Sequence, residues 1–214
     1  MNQKQTVLAL KVVLWLSALA PAVWLLWSLN RGDLGPNPTE ALTHTTGMTT
    51  LVLLLVTLAV SPLRRLSGWN VLIRLRRPLG LFAFFYATTH FLIWFAFYNV
   101  VNVQYMIDDI AERPYITVGF TAWIVLIPLA ITSTKGWIRR LGKRWAKLHK
   151  SIYIAAALGV VHFYWLVKAD TRLPILLGVC LVILLVARAP QFAKVGANRG
   201  KRAARPDEVA AKSP

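Results

Sequence analysis

Residues 79–98 read LGLFAFFYATTHFLIWFAFY, a run without a single Lys, Arg, Asp or Glu. An α-helix needs about 20 predominantly apolar residues to cross the hydrocarbon core of a bilayer, and this stretch supplies them. It follows Pro78, which suits a first helical turn because the N–H that proline lacks has no partner there anyway. One side chain in the run sets it apart from a plain membrane anchor. His90 is an ionisable group at membrane depth, and such groups are costly enough to mark functional sites by default.

Five more stretches are long and apolar enough to span: 12–29, 45–61, 115–133, 149–167 and 173–187, the last being the shortest. The sequence therefore predicts an all-α integral membrane protein with a six-transmembrane-helix bundle. Residues 1–11 precede the bundle, 12–188 form it, and 189–214 read as a basic, disordered tail. Leu34-Gly35-Pro36-Asn37-Pro38 is a loop, because two prolines and a glycine interrupt any helix. Pro21 and Pro128 fall inside spans, where membrane helices accept a kink. Ala18-Leu19-Ala20 has the small residues of a signal-peptidase site, but the surrounding span is long enough to stay in the bilayer. No internal repeat is visible.

Composition agrees with the spans. Of 214 residues, 57% are apolar and 15% charged, against roughly 25% charged in ordinary soluble domains. The formal net charge is nevertheless +17. So many large apolar residues exclude disorder, and so few charges exclude a soluble nucleic-acid binder. Sorting the charges by loop resolves the combination. The N-terminus, the 64–77 and 135–150 loops and the stretch from 188 onward carry 21 cations, opposed only by Asp207 and Glu208. The alternate loops carry Arg31, Arg113, Lys168 and Arg172 against six carboxylates. The positive-inside rule then puts both termini in the cytoplasm. Trp27, Trp94, Tyr98 and Trp165 fall near the outer ends of the spans and Trp69, Trp137 and Trp145 near the inner ends, as aromatic belts do. The single cysteine, Cys180, excludes an internal disulfide and a Cys-ligated zinc or iron–sulfur centre.

Histidine carries the chemistry. His90 lies 12 residues beyond Pro78, about 18 Å along its helix, and His162 lies 13 residues beyond His149, about 20 Å along its own. Both reach the outer half of the membrane at similar depth. Two neutral imidazoles facing each other across a bundle suit the axial positions of a haem, with aromatic walls for the porphyrin. The small run Ala155-Ala156-Ala157-Leu158-Gly159 would let a flat group approach the backbone of span five. The plain alternative is that each histidine hydrogen-bonds a neighbouring helix. His149 suits either a solvated interfacial position or a second ligand or electron relay. On an ideal helix it lies well off the face of His162. His44, at the start of the second span, reads as a cap or an outer-face contact.

The ordered set Arg76-Arg77-Pro78-Leu79-Gly80-Leu81, His90, Arg113-Pro114-Tyr115, Leu141-Gly142-Lys143-Arg144-Trp145-Ala146-Lys147-Leu148-His149 and His162, with the Gly35 loop and His44-Thr45-Thr46-Gly47, resembles the MsrQ (YedZ) family. That family belongs to the ferric-reductase-like transmembrane superfamily, which includes the NADPH oxidases. The resemblance spans about 11–188. It implies b-type haem, FMN, and electron delivery from the bacterial inner membrane to the periplasmic molybdoenzyme MsrP, which reduces methionine sulfoxide in oxidised proteins. The wider superfamily often stacks two haems between two histidines on span three and two on span five. Here span five offers His149 and His162, whereas span three offers His90 alone, with no histidine near Arg76.

A centre at the outer-half histidines covers only part of a core about 30 Å thick, so a second centre near the cytoplasmic face is expected. A flavin there would find Arg74, Arg76 and Arg77, and Arg139, Arg140, Lys143 and Arg144, to hold its phosphate. No G-x-G-x-x-G motif is present, so electrons are expected from the quinone pool or a separate cytoplasmic flavin reductase. Cys180, buried among apolar residues, is an inert thiol, so a sulfoxide-reducing site is not expected in this chain. Two other readings share the sequence. One is a quinol- or ferric-reducing b-type cytochrome with another acceptor; the other is a haem-free transporter or assembly factor. Membrane lipid is an expected partner and nucleic acid is not.

Overall fold

The computed structural model describes residues 3–188. Among them the regular structure is helical throughout; the stretch 189–214, read above as a tail, lies outside the described residues. Nine α-helices follow in order: α1 (Gln3–Arg31), α2 (Pro38–Ser67), α3 (Arg76–Ile93), α4 (Val103–Glu112), α5 (Pro114–Ile131), α6 (Lys135–Leu141), α7 (Lys143–Leu148), α8 (Ile152–Leu166) and α9 (Arg172–Val186). Four helical segments are long and apolar enough to cross a membrane: Lys4–Arg31, Pro38–Ser67, Asn70–Tyr98 and Pro114–Ile131. Helices α8 and α9 have 15 residues each, about 22 Å at 1.5 Å per residue. Helix length by itself therefore carries four of the six expected spans.

The outward surface is apolar, as lipid requires. Val13, Leu16, Val23 and Leu26 on α1 and Leu176, Val179, Val182 and Ile183 on α9 are all exposed. The largest core joins Leu14 and Ala18 of α1, Leu53 and Leu54 of α2, Ala83 and Tyr86 of α3, Leu126 and Leu129 of α5 and Ala155 of α8. A smaller one joins Leu55 and Leu58 of α2 to Ala156 of α8 and Leu181 of α9. Helix α2 packs along α3, and α5 along α8.

Several helix ends differ from the reading of hydropathy: α1 already starts at Gln3, within the segment expected to precede the bundle, and α8 starts at Ile152. Helix α2 begins at Pro38, earlier than expected, because Asn37 caps it. The Asn37 Oδ1 accepts the Glu40 N–H at 3.2 Å, and its Nδ2 donates to the Glu40 carboxylate at 3.0 Å. His44 is thus inside the helix, and the capping role expected of it belongs to Asn37. At its other end α2 stops at Gly68, whose φ of 71° is the left-handed conformation that ends helices readily. The run 79–98 is an α-helix only as far as Ile93. It continues as a π-helical turn over Trp94–Tyr98 and ends in Val100 and Val101, both with positive φ (49° and 57°). Two β-branched residues in that region are strained. The loop is held by Val101 N–H to the Phe95 carbonyl (3.1 Å) and Asn102 N–H to the Asn99 carbonyl (2.7 Å).

Buried Tyr86 shows how α1 accommodates Pro21. The Tyr86 hydroxyl donates to the Ala18 carbonyl at 2.6 Å and accepts the Ala22 N–H at 3.1 Å, so it bridges a rung of the helical ladder. A side chain inserted in this way is a recognised cause of a helix bend. Tyr86→Phe should leave both backbone groups without their bridge and cost about 1–3 kcal/mol, read as a lower thermal midpoint in detergent. An unchanged midpoint would mean that the rung closes on itself.

Candidate functional site

The rings of His90, on α3, and His162, on α8, stand with centroids 6.2 Å apart and planes 83° to one another. Both face a cavity of about 520 Å³, within the range of about 300–1,000 Å³ for small-molecule and cofactor sites. Its walls are aromatic. Phe91 stacks on Trp123 with centroids 4.2 Å apart, Phe120 leans on both, and Trp94 and Phe163 complete the lining. The Trp123 indole N–H is fixed by the Thr88 hydroxyl at 3.1 Å. Ala155 and Gly159, from the small run on α8, line the cavity, whereas Ala156 belongs to the smaller core.

Each imidazole is held in the same way. His90 Nδ1 donates to the Thr43 carbonyl of α2 at 2.9 Å, and His162 Nδ1 donates to the Tyr115 carbonyl of α5 at 2.7 Å. A carbonyl only accepts, so Nδ1 carries the hydrogen in both rings. Nε2 is then the atom with a free lone pair in the neutral ring. Binding of one ring nitrogen to a backbone carbonyl is the usual way a metal-ligating histidine is oriented. One turn past each carbonyl stands a glycine on which the ring rests. A Cβ on Gly47 would lie 3.0 Å from two atoms of the His90 ring, and a Cβ on Gly119 would lie 2.6 Å from His162 Nδ1. Glycine is required at these positions for space, not for backbone freedom.

These two half-sites are repeats of one another. The hydrogen-bond partners are 47 residues apart in both. Thr43, Gly47, Ala83, His90 and Phe91 correspond to Tyr115, Gly119, Ala155, His162 and Phe163, each 72 positions further on. Sequence reading missed the repeat because few identities survive; what recurs is the helix pair and its histidine seat. It also missed Gly119, Phe120 and Trp123. A glycine in mid-span with no helix to end was the one available signal.

The remaining site residues of the sequence reading are dispersed. His44 lines the cavity, edge-on to Phe163 with centroids 6.4 Å apart. His149 does not line it. This residue opens a 3-10 turn below α8, where its ring stacks on Trp145 (4.0 Å) and its Nε2 donates to the Thr132 hydroxyl at 3.0 Å. The 3-10 turn explains why ideal-helix geometry does not relate it to His162. Arg74, Arg77, Arg139, Arg140, Lys143 and Arg144 are exposed and Arg76 is half-buried. None of the seven lines the cavity, and Arg140 lies over the Trp137 ring at 5.3 Å.

The mouth of the cavity includes Glu40, Tyr98 and Arg113. Arg113 pairs with Asp109 at 3.1 Å. Hydrogen bonding to Tyr115, together with the Asp109 charge, holds its guanidinium still further above its usual range. The site is thus an apolar slot with two imidazoles inside and a fixed cation at its rim.

The residues fit a haem better than a bare metal ion. No group of three or more His, Cys, Asp or Glu side chains converges among the described residues, whereas zinc and similar ions take three or four protein ligands. A haem would need only His90 and His162 from the protein, because its macrocycle would supply the remaining ligands. Ring centres 6.2 Å apart would leave room for a metal bound by one nitrogen from each ring at about 2 Å apiece.

Comparison with known proteins gives the same direction. The family described as ferric reductase like transmembrane component matches residues 45–160. A protein of Herminiimonas arsenicoxydans called "Protein-methionine-sulfoxide reductase heme-binding subunit MsrQ" is 50% identical over 182 residues, 84% of each chain. Proteins of the same name from Xanthomonas oryzae pv. oryzae (strain MAFF 311018) and Ralstonia nicotianae are 45% and 50% identical, over 92% and 73% of each chain. The chain belongs to the ferric-reductase-like transmembrane family and, within it, to the MsrQ family.

Proposed function

We propose that this chain is the membrane electron-carrier subunit of a protein-methionine-sulfoxide reductase system, holding a b-type haem between His90 and His162. The carrying observation is the pair of imidazoles, each with Nδ1 bonded to a backbone carbonyl and Nε2 left for a ligand, facing one aromatic cavity. Bound haem supplies a reversible one-electron couple. Thr43 and Tyr115 fix the two ring tautomers, Gly47 and Gly119 admit the rings, and Phe91, Phe120 and Trp123 exclude water from the slot. Arg113 at the rim is placed to receive an acidic edge of the cofactor, and His44 is an outer-face contact.

In this reading six helices span the bacterial inner membrane, with both termini in the cytoplasm. The charge asymmetry between alternate loops supports that orientation. Electrons enter at the basic, cytoplasmic face from the quinone pool or a flavin reductase, with FMN near that face and His149 as a relay. They leave at the face of the Arg113 loop, to MsrP. The names of the relatives support the partner. A haem-free transporter or assembly factor would need no free Nε2 pair at a cavity.

The decisive experiment reduces the purified protein with dithionite and adds the periplasmic reductase subunit with a methionine-sulfoxide substrate. Reoxidation of the haem spectrum, dependent on both additions, is the expected result. Reoxidation by ferric chelates while the reductase subunit leaves the spectrum unchanged would instead establish a ferric-reducing cytochrome.

A further inference from the structure

Opposite the histidines, where α2 and α9 end and α3 and α8 begin, the bundle gathers cations that no described residue neutralises. Arg188, just past α9, is 1% exposed. Its place is set by a proline: Pro62 has no N–H to give the Leu58 carbonyl, which its own helix therefore leaves unsatisfied. Arg188 Nη2 donates to that carbonyl. Its Nη1 donates to the Tyr153 hydroxyl at 2.7 Å, and its guanidinium lies 5.4 Å from the Tyr153 ring centre. Both hydrogen-bond partners are neutral, and Nε is buried with no hydrogen-bond partner among the described residues.

Two further guanidiniums belong to the same end of the bundle, where the end of α2 is tied to the end of α9 by the Arg65 guanidinium donating to the Ala187 carbonyl at 3.1 Å. Arg64 also has a buried Nε with no hydrogen-bond partner among the described residues, and its Nη1 donates to the Asn70 amide oxygen at 3.3 Å. Arg76, half-buried at the start of α3, has Arg188, Tyr153 and Arg64 as the charged and titratable neighbours that act on it. No ion pair joins Arg64, Arg76 or Arg188 to a carboxylate among the described residues. An unpaired buried ion costs several kcal/mol, and crowded like charges add to that cost. An occupant of opposite charge removes both penalties.

The structure assigns to this end of the bundle an anion-binding site in which Arg64, Arg76 and Arg188 take a phosphate group. Guanidinium suits this task better than ammonium, because its planar fork offers two parallel N–H donors to neighbouring phosphate oxygens. The phosphate has two possible carriers: a nucleotide such as FMN from the aqueous side, or a phospholipid headgroup from the membrane edge. The inference narrows the flavin-phosphate part of the proposed function to Arg76, and adds Arg64 and Arg188. It rests on burial and missing counter-charge, so it stands or falls separately from the haem.

The test titrates full-length protein in detergent with FMN, with riboflavin and with dihexanoyl phosphatidylglycerol, by calorimetry. Riboflavin is FMN without the phosphate. One of the phosphate-bearing probes should bind, and Arg76→Gln and Arg188→Gln should each weaken it by at least about tenfold, the loss of a charge-assisted pair of hydrogen bonds. Exposed Lys147 supplies the control, since Lys147→Gln should leave binding unchanged. Binding of FMN but not riboflavin identifies a nucleotide; binding of the short lipid identifies a headgroup. Arg188→Gln risks misfolding because the residue is buried. Arg76 makes no side-chain hydrogen bond among the described residues, so Arg76→Gln keeps the test open. Haem absorbance on the same samples reports the fold and the separate site. No binding of either phosphate probe to the wild type would overturn the proposal. Equal binding by Arg76→Gln, or an equal loss in Lys147→Gln, would also overturn it.

Discussion

Replacing His90 or His162 by alanine is expected to empty the protein of haem, with the intense near-ultraviolet haem band of the purified protein falling at least about tenfold. The reason lies in how few ligands the site has. No cluster of three potential ligands exists among the described residues, so in the proposed site each imidazole would be one of only two protein ligands. Even partners that merely orient a metal ligand are worth about 10–100-fold in affinity, and removing the ligand itself costs more. A structural role for these histidines makes a different forecast. Each bonds a carbonyl on a neighbouring helix, so an alanine would lower the melting temperature without an effect specific to haem. His162→Gly tests the distinction directly, because free imidazole can enter the space and restore the absorption if the ring is a ligand. His149→Ala should keep most of the band, since its Nε2 is occupied by Thr132 and its ring lies outside the cavity. Retained haem in both His90→Ala and His162→Ala would end the two-histidine reading.

The second large effect is steric, and it is graded. Gly119→Ala should reduce haem content about 10–100-fold, in the range for loss of an orienting contact. Gly47→Ala should have a smaller effect in the same direction. A Cβ on Gly119 would lie 2.6 Å from the ring nitrogen that bonds Tyr115 and 2.8 Å from the carbon beside it, closer than real Cβ atoms approach anything. The His162 ring must therefore move, and its 2.7 Å hydrogen bond to Tyr115 moves with it. At Gly47 the clearance is 3.0 Å, which a shift of a few tenths of an ångström relieves. Gly80 serves as the control, because a Cβ there meets nothing within 4 Å. Gly80→Ala should keep full haem and gain a little stability from helix propensity, on the order of 1 kcal/mol at most. Haem content and the magnetic-resonance signal of the ferric protein, which responds to axial-ring orientation, together measure the series. Equal haem in Gly119→Ala and Gly80→Ala would show that the ring seat is not what holds the ligand.

The repeated seat gives these variants a common logic. In each half an apolar helix carries a histidine, and its neighbour supplies a carbonyl and, one turn on, a glycine. The two halves face each other across one slot. A repeat of this sort gives two similarly seated imidazoles without a third, which suits the planar cofactor proposed above better than a bare ion.

How much of this could be read from residues alone differs from one feature to the next. The run 79–98 announced a membrane helix containing one imidazole, and alternate loops announced which end is basic, because bilayer thickness and charge burial act on short stretches of chain. Equal depth of His90 and His162 followed from counting residues along two helices, since rise per residue is nearly constant. Cap and turn chemistry was harder. Asn37 moved the start of α2 well ahead of the apolar residues, and the 93–101 segment left the α-helix for a π turn and two strained valines, because the local hydrogen bonds there outweigh the apolar pattern.

Contacts between helices distant in sequence were not legible. Nothing near Pro21 in the chain names Tyr86 as the residue that bridges its rung, and nothing near Pro62 names Arg188 as the donor to the freed carbonyl. Gly119 reads as an ordinary small residue until His162 is seen resting on it. Likewise the positive charge of the chain, which by count reports only orientation, separates in three dimensions into exposed cations and a trio, Arg188 buried and Arg64 and Arg76 half-buried, with no carboxylate partner among the described residues. Composition and periodicity thus determined a basic-ended membrane bundle with two histidines at one depth. Which nitrogen each ring leaves free, and which arginines lose their water, depended on the rotation and packing of each helix against its neighbours, for which a single helix carries no signal.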